Sequence, residues 1–260
     1  MRTRAIPVSV GATAAVMGLV GWALPGLDMA GPRPGPRIAQ LMPQVEVSLL
    51  FLVGLPVWSQ ALAAERSAAL RVALAVTARG RARAVLRGVG SRLATVALVV
   101  LGGGGVWLLA TLLAGGPSLA SVLRARLLLL AFALFAIGLA TWASARYPGV
   151  VGAGAATLGV LGIMLGAPLI LAPLVSLFGA HPALVQAAVL VCPWVVAAGI
   201  SGLDLVHMQW VYALSPLGHV EISYPGLATA ALLYGVAGCL LLAAAVRALR
   251  ATRPLAGGPR

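Results

Sequence analysis

Long apolar runs, separated by short polar stretches that contain arginine, dominate this sequence. A helix needs about 20 apolar residues to cross the hydrocarbon core of a bilayer. Six runs have that length, at residues 5–24, 41–64, 93–113, 127–145, 150–178 and 226–248. The pattern therefore predicts an all-α polytopic membrane protein with six transmembrane helices, which form a single domain over residues 1–260.

A seventh apolar run, at residues 183–202, is ambiguous. It contains Pro193 in its middle and is followed by a polar, aromatic stretch that extends to Tyr224. A proline inside a helix removes a backbone donor and kinks or breaks the helix. We therefore predict a re-entrant outer hairpin over about residues 181–225, between the fifth and sixth spans. The alternative is a seventh full crossing.

Arginine supplies all the positive side-chain charge, because the chain has 18 arginines and no lysine. Cytoplasmic loops of membrane proteins carry an excess of basic residues. With six spans and a cytoplasmic N-terminus, fourteen arginines lie inside and only Arg33, Arg37, Arg124 and Arg126 lie outside. A seventh crossing would move the basic C-terminus outside. The charge pattern thus predicts that both termini are cytoplasmic.

Composition excludes several classes of function. The chain is 61% hydrophobic and 9% charged, which is typical of a membrane protein. Its net charge of +13 does not indicate nucleic-acid binding, because the arginines flank apolar runs. Without lysine it has no phosphate-binding P-loop of its own. Cys192 and Cys239 lie in separate apolar runs, and the scattered histidines do not have metal-ligand spacing, so we expect neither a metal nor a cofactor.

Two features of the spans leave alternatives open. The first run could be a secretory signal, but it is long for one and no A-x-A site follows it, which favours an uncleaved span. In the fifth run, Pro168 and Pro173 predict a bend or a break toward the outer surface. The small residues Gly152, Gly159, Gly162 and Gly166 suit close helix packing, either within the chain or at a dimer seam.

The only substantial cytoplasmic segment is the loop at about residues 65–92. Leu70 and Leu74 are one turn apart in a helix-compatible run, and a basic turn around Gly80 follows. This predicts a short helix on the inner membrane face that leads into a turn. The alternative interpretation is a basic loop that serves only to orient the protein.

The loop resembles the one that follows the second span in permeases of type-2 ATP-binding-cassette (ABC) exporters, which often reads E-R-E-x-G-T-L-x-x-L-L-x-T-P-x-S-R. The matching positions are Glu65, Arg66, Leu74, Thr77 and Arg81. The chain departs from that pattern where Ala69-Leu70 replaces Gly-Thr, Ala78 the proline and Gly80 the serine. Leu214-Ser215-Pro216 is similar to an L-S-P segment that often precedes the last span of these permeases.

The resemblance implies a non-catalytic permease subunit in the cytoplasmic (inner) membrane of a bacterium. Two such subunits, identical or paralogous, pair within the lipid bilayer, and each binds a separate ABC ATPase subunit through the loop. The residues expected at that contact are Glu65, Arg66, Leu70, Arg71, Leu74, Thr77, Arg79, Arg81 and Arg83. Glu65 could instead cap the end of its helix.

Ionisable residues inside spans are functional candidates by default, because they are costly to bury in a membrane. Glu46 lies in the second run near its outer end, where it either lines the translocation path or reaches the interface. In the outer segment, Asp204 and His207 have i, i+3 spacing, with His219 and Glu221 nearby. No nucleophile motif accompanies them, so catalysis there is disfavoured.

Other functions remain as alternatives. A haem-exporter-like permease of cytochrome c maturation has a similar size and number of spans. A non-transporting membrane scaffold would fit the topology equally well. An intramembrane enzyme is disfavoured, because no span holds paired acids, H-E-x-x-H or a Ser/Lys dyad.

Overall fold

The part of the chain that the structure describes is helical and contains no strand, which confirms the all-α prediction there. This computed structural model describes residues 43–48, 88–90, 92–94, 96–97, 100, 118–147, 150–178, 183–204 and 223–251. Its five longer helices are α1 (Leu119–Arg146), α2 (Val150–Phe178), α3 (Ala183–Val191), α4 (Pro193–Ser201) and α5 (Leu227–Ala251). Residues 43–48, called the 43–48 segment below, are also helical.

Local sequence sets both ends of α1. The Ser118 hydroxyl accepts a hydrogen bond from the Ser121 backbone N–H at 3.3 Å, which satisfies one of the free donors at the helix start. Pro148 follows α1 and favours extended backbone at Tyr147, which has φ −101° and ψ 127°. The helix thus begins eight residues before the predicted span at 127–145. Arg124 and Arg126, predicted to lie in the outer loop, are therefore residues of helix α1.

α1 is the central helix of the described part, and its neighbours expose apolar surface. Most of its side chains beyond Arg124 are buried, including Phe132 at 1% exposure. On α2, by contrast, Val151 is 85% exposed and Ile163 68%, and Leu232 on α5 is 66% exposed. Large apolar side chains in that number on the outside of a helical protein indicate contact with lipid. This arrangement is that of a membrane protein.

α1 and α5 run parallel in close contact. The Phe132 ring lies 5.6 Å from the Tyr234 ring, edge to face, and further along both helices Gly138 meets Gly238. The contacts therefore advance in the same direction on the two helices. A Cβ atom at Gly138 would lie 2.6 Å from the Gly238 carbonyl oxygen, so only glycine allows this backbone approach.

α2 follows α1 after only three residues and returns along it. Leu161, well into α2, packs in the same core cluster as Phe132 and Leu139 of α1. This is the antiparallel arrangement that a short connection favours. α2 continues as α-helix through Pro168 and Pro173, so of the predicted bend or break the break is wrong. No atom lies within 4 Å of a Cβ built at Gly159 or Gly162, so these two glycines do not serve packing within the described residues.

α3 and α4 form a bent pair whose axes differ by 81°. The bend occurs at Cys192, because Pro193 has no N–H with which to continue α3. The last backbone hydrogen bonds of α3 are those that the Cys192 N–H donates to the carbonyls of Ala188 (3.0 Å) and Val189 (3.3 Å). The Val191 carbonyl at the bend accepts a hydrogen bond of 3.1 Å from the Tyr234 hydroxyl of α5. The bend is thereby fixed to the central helix pair.

The end of α4 and the start of α5 are held together by specific contacts. Gly202 follows the last residue of α4 and caps it with a left-handed φ of 73°. The Leu203 N–H donates to the Ala198 carbonyl at 2.9 Å. The Tyr224 hydroxyl donates to an Asp204 carboxylate oxygen at 2.8 Å. A Cβ at Gly199 would lie 2.7 Å from the Tyr224 Cβ, so the approach requires glycine.

Within the described residues, three helices are long and apolar enough to cross a membrane, and the bent pair would make a fourth if counted as one span. They correspond to the predicted runs at 127–145, 150–178 and 226–248. The predicted spans at 5–24, 41–64 and 93–113 lie wholly or largely outside the described residues, as does nearly all of the loop at 65–92.

Candidate functional site

A buried ion pair joins the 43–48 segment to α1. The Arg126 Nη1 atom donates to the Glu46 Oε1 atom at 2.5 Å, and both side chains are only 8% exposed. The same Nη1 donates to the Val100 carbonyl at 3.1 Å. One guanidinium nitrogen therefore connects three segments that lie far apart in the sequence. Each charge has its partner inside protein rather than in water or lipid.

The pair is bonded end-on and leaves polar atoms unsatisfied. Glu46 Oε2 and Arg126 Nε are both buried, and among the described residues neither has a hydrogen-bond partner. A side-on arrangement would give two parallel N–H···O bonds between guanidinium and carboxylate. Buried polar atoms without partners each cost about 1–3 kcal/mol. The site thus holds two desolvated charges in a geometry that uses only part of their bonding capacity.

A second set of polar contacts holds the opposite side of the 43–48 segment. The Gln44 amide Nε2 donates to the Ser201 hydroxyl at 3.4 Å, at the end of α4. The Trp194 indole N–H, near the start of α4, donates to the Ser48 hydroxyl at 3.0 Å. Gln44 and Ser48 are four residues apart and so share one helix face, whereas Glu46 points away from it. The segment is therefore bound between α1 and α4.

Arg126 lies where α1 would enter the hydrocarbon core. α1 has 28 residues and is thus about 42 Å long, longer than a core of about 30 Å. The stretch from Leu127 to the end of the helix is enough to cross that core. Arg124, two residues earlier, is exposed, while Arg126 faces the protein interior. If the core covers residues 127–146, the ion pair lies at one boundary of it, buried within the protein.

The sequence prediction identified only one half of this pair. Glu46 was a candidate for the translocation path or the interface, and it is buried against a partner in the protein interior. Arg126 was counted among the outer arginines. The signal that could have revealed it is the capping serine at position 118, which extends the helix through two arginines. Trp194, which the sequence prediction did not assign to this site, donates its indole N–H to Ser48 of the 43–48 segment.

The residues predicted for contact with an ATPase, from Glu65 to Arg83, lie outside the described residues. Of the outer acid–histidine group, only Asp204 is described, and it accepts a hydrogen bond from Tyr224. No group of three or more metal-ligating side chains occurs among the residues that the structure describes. Within the described residues, the site is a buried charge pair that connects three segments of the chain.

Comparisons with known proteins add no family to this description. The chain matches no protein-family model, and no curated protein and no solved structure is similar enough to count as a match.

Proposed function

We propose that this chain is the transmembrane permease subunit of an ABC exporter, with six spans and both termini in the cytoplasm. A separate ABC ATPase subunit hydrolyses ATP and binds the loop at residues 65–92, and a second permease copy or paralogue completes the transporter. The assignment is supported by the loop residues, from Glu65 to Arg81, that match the loop pattern of type-2 ABC exporter permeases in register.

The observation that carries the topology is the parallel orientation of α1 and α5. α2 returns along α1, so α5 can be parallel to α1 only if the chain between α2 and α5 makes no net crossing. The α3–α4 pair agrees in length, because two nine-residue helices bent by 81° extend over only about 20 Å. That is too short for a core of about 30 Å. This favours the re-entrant hairpin over a seventh crossing.

The charges at the helix ends support the proposed orientation. Arg146 and Arg247 are both exposed and lie at the C-terminal ends of the parallel helices α1 and α5, hence on the same side. Basic residues favour the cytoplasmic side. Ser118, Asp204 and Tyr224 belong to the opposite, outer side in this orientation.

The topology is tested by cysteine labelling in intact cells, in a background where Cys192 and Cys239 are replaced by alanine. S67C and G257C should react with an impermeant maleimide only after the cells are permeabilised. S223C is the outer control and should react in intact cells, since its two hydrogen bonds with Gln186 use backbone atoms. Labelling of S67C or G257C from outside would contradict the six-span arrangement.

The function is tested by purification with the neighbouring gene products. We expect an ABC ATPase to copurify, and the chain alone to hydrolyse no ATP.

Leu74→Pro breaks the predicted loop helix, because an interior proline costs about 3 kcal/mol or more. This variant should insert normally but lose the ATPase, whereas Leu74→Ala should retain it. Equal ATPase recovery with both variants, or with neither, would reject the loop as the contact.

A further inference from the structure

The buried ion pair and the α4 contacts together define one unit, which we call the outer clamp: Gln44, Glu46 and Ser48 with Arg126, Trp194 and Ser201. Its contacts lie on opposite faces of one six-residue helical segment. A displacement of that segment along or about its axis would therefore disrupt both sets of contacts at once.

We propose that the outer clamp is a two-state conformational switch, which opens on the outer side of the permease during each ATPase cycle. This inference rests on the proposed function. When the clamp is closed, the 43–48 segment is fixed to α1 and α4. When it opens, the segment separates from α1, and the Glu46 carboxylate and Arg126 guanidinium gain access to water.

The bonding of the pair supports a switch rather than a static connection. Replacing a buried ion pair with apolar side chains of similar volume is often neutral or stabilising, so such a pair contributes little to stability alone. Here the pair also leaves Glu46 Oε2 and Arg126 Nε without a hydrogen-bond partner in the part of the chain that the structure describes. Water entering an open clamp would hydrate both atoms. Hydration of these atoms in the open state would offset part of the loss of the closed contacts, as a two-state element requires.

The position of the clamp supplies the connection to the ATPase. Glu46 lies near the outer end of the predicted second span, and Glu65 begins the cytoplasmic loop at its other end. Their separation of nineteen residues corresponds to about 28 Å along a helix, close to the thickness of the core. In this proposal, the predicted second span carries movement of the loop to the clamp.

Accessibility of Val47 measures the state of the clamp without altering its polar groups. Val47 is 0% exposed and lies between Glu46 and Ser48. The complex with the ATPase is purified with V47C in the cysteine-free background and placed in nanodiscs. A water-soluble maleimide is then applied without nucleotide, during ATP hydrolysis and after trapping with vanadate. The matched control is V189C in α3, also 0% exposed but outside the clamp.

We expect V47C to react at least about tenfold faster in one nucleotide state than without nucleotide, since labelling follows the population of the open state. V189C should stay unreactive throughout. Adding Glu46→Gln, which removes the charge but keeps the shape, should raise V47C labelling already without nucleotide. Its folding is checked by gel filtration and by ATPase recovery.

Two results would overturn the switch while leaving the proposed function intact. V47C could remain protected in every state of a complex that hydrolyses ATP, which would make the clamp static. V47C and V189C could become reactive together, which would mean that the whole outer half opens as one. If no ATPase associates with the chain in any preparation, the proposed function fails, and the switch fails with it.

Discussion

Arg126→Ala should destabilise the protein by about 3–5 kcal/mol, the largest effect we expect from a single side-chain truncation in the described structure. The substitution leaves the Glu46 carboxylate buried at 8% exposure without its counter-ion and removes the donor to the Val100 carbonyl. Thermal unfolding in detergent, followed by fluorescence-detected gel filtration, measures the effect. Arg124→Ala is the matched control, because Arg124 lies two residues away on the same helix and is exposed.

The double variant E46L/R126M tests whether the two charges themselves stabilise the protein. It removes both charges and retains similar volume, so its stability should return close to that of the native chain or exceed it. Arg124→Ala should change stability by no more than about 0.5 kcal/mol, as is usual for surface sites. If Arg126→Ala is as mild as Arg124→Ala, the buried pair does not exist in the folded protein.

The helices that hydropathy identified agree with the structure where apolar composition alone decides their limits. α2 has the limits predicted for the fifth run, residues 150–178, and α5 begins one residue after the predicted start at 226. α1 differs because hydropathy ends at the first charge, whereas a helix ends where its backbone donors and acceptors find other partners. The Ser118 cap and the buried partner of Arg126 extend it past both arginines.

The site could be predicted from the sequence only in part, because its contacts are tertiary. Glu46 stands out as an acid in an apolar run, but nothing local indicates a partner 80 residues away. Pro193 indicated the break between α3 and α4, and the local chemistry of proline explains why that prediction is possible. The hydrogen bond from Tyr234 to the Val191 carbonyl at this 81° bend, by contrast, is a contact that periodicity does not show.

The contacts of the glycines are likewise tertiary, and their spacing in α2 left packing within the chain and a dimer seam open. Among the glycines noted in α2, Gly159 and Gly162 face open space. The close approach is instead between Gly138 and Gly238, which lie on different helices 100 positions apart. A small residue permits close packing, but whether another backbone comes near depends on how the helices are arranged.

Gly238→Leu should separate α1 from α5 and produce the second large loss of stability. Even a Cβ at this position would lie 2.9 Å from the Phe135 nitrogen and 3.0 Å from the Leu134 carbonyl carbon and oxygen. These are backbone atoms of α1, so they cannot move aside as a side chain could, and overpacking of this kind costs about 1–3 kcal/mol or more.

Separation of the helices should also break the hydrogen bond from Tyr234, one turn before Gly238, to the Val191 carbonyl at the α3–α4 bend. Gly235→Leu is the matched control on the same helix, because a Cβ at Gly235 meets nothing within 4 Å and glycine is a poor helix former. We expect Gly235→Leu to be neutral or stabilising and Gly238→Leu to lower the unfolding temperature sharply. Equal effects of the two substitutions would contradict the parallel α1–α5 contact, and with it the absence of a net crossing between α2 and α5 that the proposed topology requires.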